Sequence, residues 1–481
     1  MLPPVVRRGV RPAGPRGAGS RNPGGDHRRH RVGRGGRRRR RAGPSRSSGP
    51  PGRRPASGAR RRGPGRGPPR RRARAGRHVQ LGAHRGVDRR DLPDGDAVTR
   101  VLVNLLWLVP GVVGGSEEST TDALRAVADV LDRDGSGGDL DIHLAVLEQF
   151  AHAHPDLAER YDLVVADQDG RDKRRRVWAE QTWLAARTRA LRPQVVHHAG
   201  GVVPFVHPGR TVLTIHDLQP LDLPHNFRPA KRNYIRLMAA RSARAADIVT
   251  VPSRFTRERV VERLRVAPAR VEVVPWWVAP PRHQDTSEPF PLPPTLGGDR
   301  FVLYPAITYP HKRHDVLLDA FALVAARHPR LRLVLTGGAA ASESAVQARI
   351  RQPDLDGRVL RTGRVPAAQL ESLFAAAALV AVPSDYEGFG LPVLEAMVRG
   401  VPVVAAAAGS LPEVARPEDL VPAEDVAAWA AAIEAVLAES TDARNARIAG
   451  GRERAAQFGP ERTAAALLTA YRRAAAARVP T

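Results

Sequence analysis

The sequence predicts an α/β protein: two doubly wound, Rossmann-like domains facing a cleft, behind a disordered basic N-terminal tail. Three observations carry this. Continuous apolar runs, the mark of strands buried on both faces, alternate with helical stretches through residues 98–481. A Pro-rich break ending in Gly297-Gly298 separates two halves with the same strand–helix logic. Residues 1–97 hold 29 of the 76 basic residues, all Arg, and only 5 of the 49 acidic ones.

The first strand is Val101-Leu102-Val103-Asn104-Leu105-Leu106, followed by the turn Pro110–Gly115 and a helix over 116–131. Strand, glycine loop and helix open a parallel α/β unit. Short strands follow at 195–198, 211–215, 248–251 and 271–274, with helices at 229–246 and 254–264. The second half gives strands at 301–304, 331–335, 359–361, 379–382 and 401–404. Its helices fall at 315–328, 367–376 and 391–399, then at 425–437 and 460–477 in an Ala-rich C-terminus. The implied boundaries are tail 1–97, N-terminal domain 98–280, linker 281–298 and C-terminal domain 299–481.

The tail carries a net charge of +24, whereas the remaining 47 basic and 44 acidic residues leave 98–481 at +3. With almost no large apolar residues, the tail cannot offset the entropy of ordering. A phosphate-binding, membrane-tethering or presequence role is open to it. Its lack of aromatic residues speaks against nucleic acid, and its Gly and Pro against an amphipathic presequence. The reading favoured here is GC-rich upstream DNA translated from a misplaced start, since the chain has just three lysines (Lys173, Lys231, Lys312). The absence of cysteine excludes disulfides, zinc–thiolate sites and cysteine nucleophiles. No apolar run reaches the roughly 18 residues of a spanning helix, and no secretory h-region follows Met1. A soluble, cytoplasmic protein is expected.

The chemistry concentrates in Val382-Pro-Ser-Asp-Tyr-Glu-Gly-Phe-Gly-Leu-Pro-Val-Leu-Glu-Ala-Met397. A strand ends at Pro383, a loop carries Glu387, Gly388, Phe389 and Gly390, and a helix opens at Leu391-Pro392. Glycines ahead of a helix leave N–H donors and a positive dipole end suited to phosphate. Glu395, one turn into that helix, can accept hydrogen bonds from a ribose diol. Glu387 lies nearer whatever hangs from the phosphate.

This string resembles the Glu-x7-Glu motif of retaining glycosyltransferases of family four (glycosyl transferases group 1), which have the GT-B fold. Gly400-x-Pro-Val and Gly409-Ser-Leu-Pro-Glu-Val414 continue the pattern. Thr214-Ile-His-Asp resembles the family's His-Asp strand end, which implies that His216 faces the donor sugar. Gly114-Gly115 is similar to the N-terminal glycine loop near the donor phosphates. Pro310-His-Lys312-Arg313 resembles the element whose lysine contacts the diphosphate. Asp247–Thr256 is similar to a strand leading into a Ser-x-Phe-Ser/Thr helix start, where Ser253 is expected to be an N-cap. Arg364 falls where the family presents main chain to the base.

Two departures stand out. The positions that often carry a second cation are Ala306, Ile307 and His311, leaving Lys312, with His311 or Arg313, to neutralise the diphosphate. Pro275-Trp276-Trp277-Val278 replaces the usual Asn-Gly-Val at the hinge.

The resemblance implies a metal-independent, retaining hexosyltransferase with no cofactor, its nucleotide-sugar being a substrate. His216, Lys312 and Glu387 would be catalytic. Gly115, Lys312, Gly388, Phe389, Gly390, Leu391 and Glu395 would bind the donor. Asp139-Leu-Asp141 has the spelling of a metal motif but precedes an N-terminal strand and is read as chance. A UDP- or GDP-sugar, a glycan or lipid-linked acceptor, and peripheral membrane contact at the inner face are the implied partners; nucleic acid is not. An inactive GT-B scaffold, an epimerase and a phosphorylase are the alternatives. The spacing Gly111-Val-Val-Gly114-Gly115 disfavours a dinucleotide-dependent oxidoreductase.

Overall fold

The computed structural model describes residues 98–112, 114–133, 139–280 and 290–477. The expected tail, 1–97, and residues 281–289 of the expected linker lie outside the described residues.

Two parallel sheets organise the chain. The first contains β1 (Thr99–Asn104), β2 (Leu140–Leu147), β3 (Asp162–Ala166), β4 (Val195–His198), β5 (Arg210–Thr214), β6 (Ile248–Val251) and β7 (Val271–Val273). Its strand order is β3-β2-β1-β4-β5-β6-β7. The second contains β8 (Phe301–Pro305), β9 (Arg332–Thr336), β10 (Val359–Gly363), β11 (Leu379–Val382), β12 (Val403–Ala406) and β13 (Leu420–Val421). Its order is β10-β9-β8-β11-β12-β13. Both are doubly wound, as the apolar runs predict. Val101, Leu102 and Val103 are wholly buried because helices cover both faces of the sheet.

Six helices frame the cleft and its surroundings: α1 (Gly115–Arg133), α2 (Lys173–Gln181), α3 (Pro229–Ala245), α4 (Arg254–Leu264), α5 (Leu391–Val398) and α6 (Pro460–Ala476). Ala464, Leu467, Leu468, Tyr471 and Ala474 form the apolar stripe of α6. That stripe packs on α1 and joins the first sheet's core, with Val101, Val103 and Leu124. The expected C-terminal domain, 299–481, therefore gives up its last helix to the other half. An apolar stripe declares that it must be covered but not by which surface.

Trp276 and Trp277 are packed rather than hinge-like. The Trp276 ring lies 5.6 Å from those of both His216 and Phe389. Trp277 Nε1 donates to the carbonyl of Asp122 at 2.9 Å. Among the described residues no helix is long and apolar enough to cross a membrane.

Candidate active site

Strand order reverses between β1 and β4 in one sheet and between β8 and β11 in the other. Loops leaving the carboxyl ends at such a reversal splay apart and make room for a ligand. From β1 the chain runs through Gly111 and Gly114 into α1; from β8 it reaches Lys312; from β11 it passes Glu387 into α5.

The first turns of α1 and α5 meet across the cleft. A methyl group on Gly115 would lie 3.1 Å from Leu391 Cδ1. Both helices thus begin in one region of the cleft, where each first turn carries N–H groups outside the helical ladder and the positive end of its dipole. Glycine is required twice in the β11–α5 loop. Gly390 has φ 112°, and a methyl there would meet Leu411 at 2.8 Å. A methyl on Gly388 would lie 2.2 Å from the His216 carbonyl oxygen, so the main chains of the two loops are in contact. Phe389 is buried, its ring turned between Trp276 and Phe458, so what it offers a ligand is main chain.

Lys312 Nζ donates to Glu387 Oε1 at 2.6 Å, with both side chains largely buried. Burial pushes the Glu387 carboxyl up, but Lys312, helped by the Ser384 hydroxyl, holds it below the ordinary value. The candidates for a second cation are otherwise engaged. Burial, reinforced by Lys312, lowers His311 to about 4, so it is neutral, and its Nδ1 meets Gln219 Nε2. Arg313 turns to Asp315, Asp385 and Glu424.

Glu395 lines a cavity of about 420 Å³ together with Gly114, Glu118, Arg364, Glu371 and Arg399. Burial raises the Glu395 carboxyl to about 7; Arg399 pulls it down, while Glu118 and Glu371 push it further up. Arg399 Nε is held by Glu371 at 2.8 Å and Nη1 by the Glu395 carbonyl at 3.1 Å. The Arg364 guanidinium, to which the sequence assigns no part, crosses the cleft to the Gly111 carbonyl at 2.8 Å. Sequence reasoning also misses Arg399 and Glu371; the i, i+4 spacing of Glu395 and Arg399 is the signal that could have found the first.

His216 reaches the β11–α5 loop through its main chain, while its ring packs among aromatic side chains. Its ring lies between Trp107 and Trp276 and lines a separate cavity of about 40 Å³. Nε2 donates to the Ala199 carbonyl at 2.9 Å, which leaves Nδ1 a buried acceptor without a partner among the described residues. Burial lowers its pKa to about 4, so the ring is neutral. Its main chain touches the Gly388 loop, while its ring opens on the smaller cavity.

Two sequence motifs form a clasp. Ser253 Oγ accepts the Thr256 N–H at 3.0 Å, the expected N-cap of α4, and donates to the Gly388 carbonyl at 2.7 Å. Glu413, from Gly409-Ser-Leu-Pro-Glu-Val414, accepts the N–H groups of Arg254 at 2.8 Å and Phe255 at 2.6 Å. The aspartates of Asp139-Leu-Asp141 pair with Arg472 and Arg100, each at 2.7 Å.

Two facing doubly wound units with a motif-bearing strand–loop–helix at the cleft define a GT-B glycosyltransferase. The model of glycosyl transferases group 1 matches residues 290–454, and that of glycosyltransferase family 4 matches residues 139–282. A D-inositol 3-phosphate glycosyltransferase of Xylanimonas cellulosilytica is 34% identical over 292 residues, 56% of this chain and 67% of that protein. An O-antigen chain mannosyltransferase B of Escherichia coli is 28% identical over 328 residues, 67% of this chain and 82% of that protein. The fold is similar to sucrose-phosphate synthase from Thermosynechococcus elongatus (TM-score 0.60, 21% identity, 78% of this chain and 98% of that one). It is similar also to Anabaena HepE in complex with UDP and glucose (TM-score 0.57, 19% identity, 77% and 98%). The chain belongs to the group 1 glycosyltransferases of family four, and it is a glycosyltransferase.

Proposed function

We propose that this enzyme moves a hexose from a UDP- or GDP-sugar to a glycan or lipid-linked acceptor, with retention and at the membrane surface. The observation that carries the site assignment is the convergence of the α1 and α5 first turns beside the Lys312–Glu387 pair. The C1–O bond to the diphosphate breaks as the acceptor oxygen bonds to C1 on the same face. The acceptor's proton passes to the departing phosphate oxygen. Negative charge grows on that phosphate, where Lys312 and the amides of Gly115 and Gly388–Leu391 stabilise it as preorganised dipoles. Glu395 holds the ribose, and Glu387 the sugar hydroxyls. His216 acts through its main chain against Gly388, or through its free Nδ1 once Trp276 yields room. Of the two named relatives, the O-antigen chain mannosyltransferase supports a glycan acceptor, and the D-inositol 3-phosphate glycosyltransferase points instead to a small polyol phosphate.

The test is nucleoside diphosphate release from a panel of UDP-, GDP- and ADP-sugars, with Glu395→Ala as control and donor-induced thermal stabilisation read alongside. Release or stabilisation by one donor, lost in the variant, is the expected result. Neither response with any donor would overturn the site assignment. Release without transfer to any hydroxyl acceptor would favour the epimerase alternative.

A further inference from the structure

We infer that the α2–α3 face of the first half is a docking surface for an anionic lipid bilayer. It deepens the membrane contact proposed above and rests on it, but not on the donor assignment.

Among the described residues, twelve large hydrophobic side chains are exposed, and six of them gather here: Val177, Trp178, Phe205, Val206, Tyr234 and Leu237. Trp178 is 69% exposed, Leu237 65% and Phe205 63%. Single exposed hydrophobics are ordinary; a cluster is not. None of the nine residues of α2 is buried, and only Met238, Ser242 and Ala243 of α3 are. The pieces are continuous. The Phe205 N–H donates to Gln181 Oε1 of α2 at 2.7 Å. The Arg241 guanidinium of α3 lies 4.1 Å over the Phe205 ring and donates to the Val203 and Pro204 carbonyls. Tyr234, Leu237 and Arg241 share one helix face by spacing.

The charge on this face is net positive. α2 opens with Lys173-Arg174-Arg175-Arg176, and residues 223–246 hold six Lys or Arg and no Asp or Glu. Two of the chain's three lysines, Lys173 and Lys231, are here. The acids in and just ahead of α2 are Asp167, Asp169, Asp172, which caps its first N–H groups, and Glu180. Cations with long apolar stems around protruding aromatic and aliphatic side chains match an anionic headgroup layer above acyl chains. A nucleic acid would use the cations and could stack on Trp178 and Phe205, but would have no use for Leu237, Val177 and Val206. The patch also lies beside the cleft: the 199–207 loop leaves β4, and its first carbonyl, that of Ala199, holds His216. Docking there would bring a lipid-linked acceptor to the rim of the active site.

The test is flotation of the full chain with mixed phosphatidylglycerol–phosphatidylcholine vesicles, and with phosphatidylcholine alone, at about 0.15 M salt. The parent should float with the anionic vesicles only. Trp178→Ser/Leu237→Ser removes no charge, and Arg174→Ser/Arg175→Ser/Arg176→Ser removes no apolar group; each should lower the bound fraction about tenfold or more. Thermal melting and donor-induced stabilisation should be unchanged in both variants, so a failed donor assignment would show separately. A parent that does not float overturns the proposal. So does a Trp178→Ser/Leu237→Ser variant that floats like the parent, which would place binding in the Arg-rich tail. Tighter binding to polyuridylate, unaffected by that variant, would overturn it in favour of nucleic acid.

Discussion

The Lys312 ammonium lies 2.6 Å from the Glu387 carboxylate in a largely buried pair. The lysine therefore has two functions to separate: it neutralises a carboxylate in this structure, and in the proposed reaction it faces the leaving diphosphate. Removing it leaves Glu387 buried and unpaired, which costs about 3 kcal/mol or more. Lys312→Met should lower stability by that amount in denaturant unfolding and cut kcat/KM at least about a hundredfold. Lys312→Met/Glu387→Gln should recover much of the stability and none of the activity. Recovery of activity in the double variant would make the pair structural alone.

Gly388 sits against the His216 carbonyl oxygen so closely that a methyl would lie 2.2 Å from it. Gly388→Ala must therefore hold the two halves apart, although neither half's core is touched. The expected result is at least about a hundredfold loss in kcat/KM, because a small displacement of positioned groups is expensive in rate. Circular dichroism and melting should stay near the parent's. Parent-like turnover would show that the observed contact is not part of the reactive state.

Glu413 supplies both carboxylate oxygens to the first N–H groups of α4, and Ser253 ties the same helix end to the Gly388 carbonyl. These bonds join the halves beside the donor loop. Loss of a capping acceptor costs about 1 kcal/mol, and a charged one about 1.5–3 kcal/mol. Glu413→Ala should raise the donor KM about tenfold, with a smaller change in kcat. Adding Ser253→Ala should be less than additive, since both act on one interface. Full additivity in a double-mutant cycle would show two independent structural roles.

The fold is legible because strands buried on both faces are mostly apolar: β1, β6, β8 and β11 are read directly from Val, Ile, Leu and Phe. The region 140–191 does not parse in the same way. β3 is a half-exposed edge strand, and α2, with no buried residue, shows no core-facing period. The β11–α5 loop is legible because Gly390 and Pro392 each answer a local backbone need, whereas Gly388 answers a distant one, the approach of the His216 carbonyl oxygen. Relations between distant segments are not. Trp276-Trp277 reads as a departure from the hinge pattern, but only packing shows one ring against His216 and Phe389 and the other bonded to Asp122. The α6 stripe fits either half until the first sheet is seen to receive it. Arg364 reads as a bystander because nothing local indicates its contact with Gly111, 253 residues away.

Glu395 gives the donor site a pH signature. Its carboxyl is raised by burial from an ordinary 4.5 to about 7. In the free enzyme it is protonated up to that pH, whereas in the unfolded chain it ionises near 4.5. The stability this difference contributes is present below about 4.5 and is lost as pH rises to about 7. In the proposed complex a ribose diol donates to the carboxylate and favours the ionised form, so donor binding lowers the pKa and releases a proton. Nucleotide affinity should therefore rise with pH through the window below about 7 and level off above it, by about tenfold for each unit the bound pKa falls. Calorimetry with UDP and GDP in two buffers of different ionisation enthalpy measures the proton directly. Release near about pH 6, none above about pH 8, and its disappearance in Glu395→Gln is the expected pattern. Glu118, which burial and Asp122 also raise, lines the same cavity, and the Glu395→Gln comparison separates the two. Proton release that persists in Glu395→Gln would move the ribose contact to Glu118.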